Sequence, residues 1–150
     1  MPNSPFHIAT STPAGAAFAF YKANYQNDLA RFLETLGGAA GGYVGGVLPD
    51  RLDPPFHPGH RSWGHGVGPV AAGAVAWASS VDGWQDGLRR RADQHALLRA
   101  QASAPLAAAW HGFLEWAFRL LSGFVAGFGA GYLTHVAFDF GTPRCLPLIC

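Results

Sequence analysis

Lysine is almost missing from this sequence. Lys22 is the single one, beside nine arginines, and charged residues make up only 13% of the 150. An ordinary soluble domain carries about 25%. The formal net charge is +1 and no basic face stands out, which argues against a nucleic-acid binder. Hydrophobic residues reach 49%, which excludes a disordered chain. Methionine occurs once. Glycine has no period of three, which excludes a collagen-like chain. The two cysteines, Cys145 and Cys150, both fall in the last six residues and do not form a C-x-x-C. As unpaired or terminally bridged thiols they do not fix the redox compartment. The opening MPNSPFHIATSTPAG has no basic stretch ahead of an apolar one, so no cleavable leader is expected. No strand-like alternation is sustained, so the fold is expected to be all-α: an up-down bundle of about four glycine-rich helices, in one domain over residues 1–150.

Four helical segments can be drawn. The first is expected over 13–25, with Thr12 as N-cap and Pro13 at the first helical position. The second covers 28–48 and stops at Pro49, the third covers 62–81, and the fourth covers 106–140, with a break allowed in it. Residues 82–103, which hold Arg89, Arg90, Arg91, Asp93 and Arg99, read as a short solvated helix joining the third and fourth.

Glycine numbers 20, about twice its usual share, and its spacing is ordered. Gly37, Gly41 and Gly45 are four apart, as are Gly38, Gly42 and Gly46, and again Gly123, Gly127 and Gly131. Small residues at this spacing form a smooth helix face and let backbones approach closely, as in membrane bundles. In water each costs about 0.8–1 kcal/mol against alanine, so a packing reason is expected. A spanning helix needs about 20 mostly apolar residues. Residues 66–81 carry no charge, and 120–138 are interrupted only by His135. The bundle is therefore expected to be embedded in a membrane or attached to one.

The glycine faces run into polar residues. Steps of four carry Gly123 through Gly127 and Gly131 to His135 and Asp139, and carry Gly38 through Gly42 and Gly46 to Asp50. Asp53 follows in a Pro-rich turn, His60 and His65 flank the start of the third helix, and His7 precedes the first. Short connections make consecutive helices antiparallel. The start of helix one, the end of helix two, the start of helix three and the end of helix four then meet at one end. That brings together His7, Asp50, Asp53, His60, His65, His135 and Asp139. Mixed imidazole and carboxylate donors suit zinc, with manganese or iron as alternatives, and seven donors can hold one or two ions. His57 is near enough to be a spare ligand, and Arg61 could pair with a phosphate or a ligating carboxylate. His95 and His111 fall outside the pattern, and Asp82 and Glu115 belong to the opposite end.

The segments VLPDRLDPP (47–55), HRSWGH (60–65) and GYLTHVAFDFGTPRCLPLI (131–149) resemble the YdjM-like family of inner-membrane metal-dependent hydrolases. That family has a Leu-Pro-Asp-x-Asp-His element, a His-Arg-x-x-Thr-His element and a Gly-Tyr-x-x-His-x-x-x-Asp-x-x-Thr-Pro element followed by Pro-Leu, with a His near its start that His7 matches. The order and spacing agree across most of the chain. This chain departs in having Leu52 and Asp53 where the family has Asp and His, and Gly64 where it has Thr. The resemblance implies a helical protein of the bacterial inner membrane with a metal-dependent hydrolytic site.

Two functions are then expected to compete. In the first, a divalent ion activates water against a phosphoester or lipid-like ester, with Asp53 as ligand or general base and Arg61 and Arg144 near the substrate. In the second, the chain is a non-catalytic structural subunit of a membrane assembly, with the metal a staple or absent and the five tryptophans (63, 77, 84, 110 and 116) as packing and interfacial anchors. The expected partners are membrane lipid and a larger membrane assembly or a second copy of the chain, not nucleic acid. Arginines 89, 90, 91 and 99 would hold their end in the cytoplasm and place the metal site on the other side.

Overall fold

The computed structural model describes residues 4–24, 26–52 and 67–140. They form four helices: α1 (Ser4–Lys22), α2 (Asp28–Leu52), α3 (Val67–Gln101) and α4 (Pro105–Phe140). No strand occurs among the described residues. Consecutive helices run antiparallel, so α2 and α4 are parallel neighbours. Helix α4 packs against the other three, and α1 also packs against α2.

The helix starts follow local chemistry. The Asn27 side-chain oxygen accepts the Ala30 amide at 2.9 Å, an N-cap bond at the start of α2. Asp28 adds a negative charge to the first turn, where the helix dipole favours it. Pro105 opens α4, at the position where a missing N–H costs nothing.

Three expected boundaries are corrected. Helix α1 begins at Ser4, so Pro13 is internal and Thr12 is not a cap. Pro49 likewise lies inside α2, which runs on to Leu52. Each proline removes one ladder bond, and the tight packing around the helix outweighs that loss. The arginine-rich stretch 82–101 is the second half of α3 and not a separate joining helix. Its Gln85, Arg89 and Ala92 continue a buried stripe from Val81, so polar residues here face inward. Helix α4 is unbroken.

The glycines explain the close approach of α1, α2 and α4. A Cβ on Gly123 would collide with the Glu34 carbonyl, one on Gly127 with Gly38 backbone, and one on Gly131 with Gly42 backbone. On the other side of α2, a Cβ on Gly15 would meet the backbone of Gly38 and Gly42. Every fourth residue of α2 therefore rests on every fourth residue of α4 in a fixed register. Helix α1 completes this ladder with a stripe of its own, in which His7, Ser11, Gly15 and Ala19 are all buried.

Helix α3 docks differently, through side chains. The Trp77 indole covers Gly129 and donates to the Val125 carbonyl at 3.1 Å, and Gln85 donates to the Ser122 carbonyl at 3.2 Å. One helix, Pro105–Asp139, is long and apolar enough to cross a membrane. The segment 66–81 does not join it as a second one among the described residues. Large apolar side chains stand exposed along α2 (Phe32, Leu36, Val44) and α4 (Phe113, Trp116, Leu121).

Candidate metal centre

The ladder fixes what meets at its two ends. At the end where α1 begins and α2 and α4 finish, the four-residue stripes give way to His7, Asp50, His135 and Asp139. His135 and Asp139 are one turn apart on α4, and both are almost fully buried. His7 is buried beside them, its ring stacked on that of His135 with centroids 3.8 Å apart. Asp50, on the last turn of α2, is partly exposed.

The His135 Nδ1 lies 2.5 Å from the Gly46 carbonyl oxygen. A carbonyl only accepts, so Nδ1 carries a proton and Nε2 is the nitrogen turned toward the centre. This is the outer-shell bond that orients a metal-ligating histidine. Its acceptor belongs to the glycine stripe itself, at a position where a side chain on residue 46 would strike Ser11. Nε2 of His135 then lies 3.5 Å from an Asp50 oxygen and 3.6 Å from an Asp139 oxygen, and Nε2 of His7 lies 3.5 Å from the other Asp139 oxygen.

These separations are long for direct hydrogen bonds. They suit ligands of a common ion, because donors about 2.1 Å from a tetrahedral metal stand about 3.4 Å from each other. One donor atom each from His7, His135 and Asp139 lies within 4.8 Å of the others, so this group could hold a metal ion. Phe6 and Phe138 meet edge to face at 5.1 Å beside it and narrow the approach from the α1–α4 side.

Four of the expected site residues are therefore brought together: His7, Asp50, His135 and Asp139. Asp53, His60, Arg61 and His65, with His57 and Arg144, lie outside the described residues. Asp82 and Glu115 stand at the opposite end, as the antiparallel topology requires, paired with Lys22 and Arg99 respectively.

The sequence reading missed a second buried polar cluster. Glu34 is fully buried and accepts two-pronged hydrogen bonds from Arg89, with Nη2 to Oε2 at 2.6 Å and Nε to Oε1 at 3.1 Å. Arg119 lies 3.7 Å from the same carboxylate and also contacts Asp93 and Gln26. Arg89 caps the end of α1 by donating to the Lys22 carbonyl at 3.0 Å. The signal for this cluster was the glycine stripe followed backwards, since Glu34 is four before Gly38 and Arg119 four before Gly123.

An apolar cleft of about 170 Å³ lies on the α3 side of the ladder, lined by Leu48, Gly73, Trp77, Phe128 and Leu133. Leu48 and Leu133 are each two residues from a member of the centre, Asp50 and His135. Comparison with protein-family models, with curated proteins and with solved structures found no match to this chain.

Proposed function

We propose that this chain is a membrane-associated, metal-dependent hydrolase acting on a phosphoester or lipid-like ester. The observation that carries the reading is the buried His7, His135 and Asp139 group, with the His135 proton committed to Gly46 and Nε2 turned inward. The family resemblance of the 47–55, 60–65 and 131–149 segments supports the same reading, and so does the apolar length of α4.

Zinc is the ion that mixed imidazole and carboxylate donors suit best here, with manganese or iron as alternatives. One or two ions are proposed, with Asp53, His60 and His65 from the segment between α2 and α3 completing the set. A bound divalent ion supplies Lewis-acid activation of water near neutral pH. His135 is held in one tautomer by its carbonyl partner, so its orientation does not have to be reorganised. Asp50 is the partly exposed carboxylate of the group, and Asp53 is proposed as a further ligand or as the general base that takes a proton from the nucleophile. Arg61 and Arg144 are proposed to face the phosphoryl or ester oxygens. The apolar cleft and the exposed Phe and Trp side chains favour a substrate with an acyl or other apolar portion. The proposed setting is the bacterial inner membrane, with the centre on the non-cytoplasmic side.

Elemental analysis of purified protein beside the His135→Ala variant tests this. The expected result is about one or two equivalents of zinc, manganese or iron, lost in the variant, with phosphoesterase or lipase turnover lost in parallel. Equal metal in both proteins overturns the centre. Metal without turnover on either substrate class overturns the enzyme and leaves a metal-stapled structural subunit.

A further inference from the structure

The two histidines outside the ladder form a site of their own. His95 on α3 and His111 on α4 bring their Nδ1 atoms to 3.0 Å, with ring centroids 5.2 Å apart and planes 26° from parallel. Both residues are half-buried, so the pair is reachable from solvent. The Phe118 ring lies nearly parallel to His95, with centroids 5.6 Å apart, and restricts its swing. One helical turn beyond His111, Glu115 reaches across to Arg99, with Arg99 Nη1 and Glu115 Oε2 at 3.0 Å.

We infer that His95 and His111 form a second transition-metal site, a clasp between α3 and α4 that takes a borderline divalent ion such as zinc, nickel or copper. Imidazole is the ligand class these ions share. Two nitrogens on a tetrahedral ion stand about 3.4 Å apart, so the pair needs to open by only a few tenths of an ångström. Its alternative occupant is a proton, since two neutral rings at this distance share one N–H between donor and acceptor. An ion takes that place when the donor ring's proton moves through solvent to its own Nε2, so that both Nδ1 lone pairs face the ion and both rings stay neutral. Glu115 lies on the His111 face of α4 and supplies the third donor when it turns from Arg99, with water in the remaining position.

The site is distinct from the His7, His135 and Asp139 centre. His111 and His135 stand near opposite ends of α4, about 36 Å apart along its axis. Helix α3 packs its backbone against α4 alone, so an ion here fastens the one helix that the glycine ladder does not hold. The clasp stands or falls independently of the proposed hydrolase.

The test uses the full chain, stripped of metal. In the His135→Ala background, with the other proposed histidine ligands His7, His60 and His65 also changed to Ala, Cu²⁺ is expected to give an electron paramagnetic resonance spectrum with two equatorial imidazole nitrogens. Adding His111→Gln should remove that signature and weaken Cu²⁺ binding by at least about 10-fold, the loss that even an outer-shell change brings at a metal site. An unchanged spectrum and affinity with His111→Gln added overturns the site. Should that background fail to fold, Zn²⁺ titrations of the wild type, His95→Gln and His111→Gln decide instead. Glutamine keeps a polar side chain at each position. Loss of the same weaker zinc equivalent in both variants supports the clasp, and unaltered stoichiometry shows that the pair only shares a proton.

Discussion

The two ends of the glycine ladder bury a carboxylate in different ways. Glu34 is met by guanidinium groups, from Arg89 in two-pronged geometry and from Arg119 at 3.7 Å. Asp139, buried to the same degree, is met by the imidazoles of His7 and His135. The first arrangement is closed, because a guanidinium is always charged, only donates and cannot ligate a metal. The second is open, because an imidazole nitrogen can hold either a proton or a metal ion. One stripe of small residues thus runs between a fixed ion cluster and a centre with exchangeable occupants. The difference teaches where to look for chemistry. Burial alone marks both ends, and the type of partner separates them.

The sharpest way to break this comparison is to remove the cation from the closed end. Arg89→Leu leaves Glu34 buried with its main partner gone. It is expected to destabilise the fold by about 3–5 kcal/mol, read by denaturant unfolding in detergent. The conservative change at the open end, Asp139→Asn, should fall well below that and abolish metal binding. If both variants unfold alike, Asp139 is as structural as Glu34 and the contrast fails.

The next effect sharpens the open end. An ion bound only by the folded chain stabilises it, by about 2.7 kcal/mol at 100 times its Kd. Zinc is expected to raise the melting temperature of the wild type and of Arg51→Ala, a control at an exposed position on the same turn as Asp50. In a His111→Gln background, which removes the second proposed site, it should not raise that of His7→Ala or His135→Ala. Zinc stabilisation that survives loss of either histidine would move the ion elsewhere.

Much of this was legible in the sequence, and the reason is the step of four. Following Gly123 forward led to His135 and Asp139, following Gly38 forward led to Asp50, and antiparallel topology brought His7 to them. The same rule run backwards would have given Glu34 and Arg119. Arg89 and Gln85 were harder to see. They sit in the most polar stretch of the chain, and only the position of Glu34 and the Ser122 carbonyl on neighbouring helices makes that stripe an inward face. The α1 stripe of Ser11, Gly15 and Ala19 was hidden by Pro13, which reads as a helix start and lies instead within a helix. Helix α3 resisted for the opposite reason. Its change from apolar to charged near Asp82 looks like a boundary, while the backbone continues through it.

The smallest effects contrast glycines of the ladder with glycines off it. Gly127 and Gly83 are both interior helical glycines, and intrinsic propensity favours alanine at each by about 0.8–1 kcal/mol. At Gly127 an added Cβ meets Gly38 backbone, which cannot move aside as a flexible side chain would. At Gly83 it meets nothing within 4 Å. Gly127→Ala is therefore expected to lose about 1–3 kcal/mol to overpacking, despite the better helix former. Gly83→Ala is expected to gain up to about 1 kcal/mol. Unfolding midpoints that shift in opposite directions would show that α2 and α4 touch through their backbones. A gain at both positions would mean the two helices stand further apart than this register requires. His135 would then lie too far from Gly46 to be fixed by its carbonyl, and the open end would lose the bond that orients it.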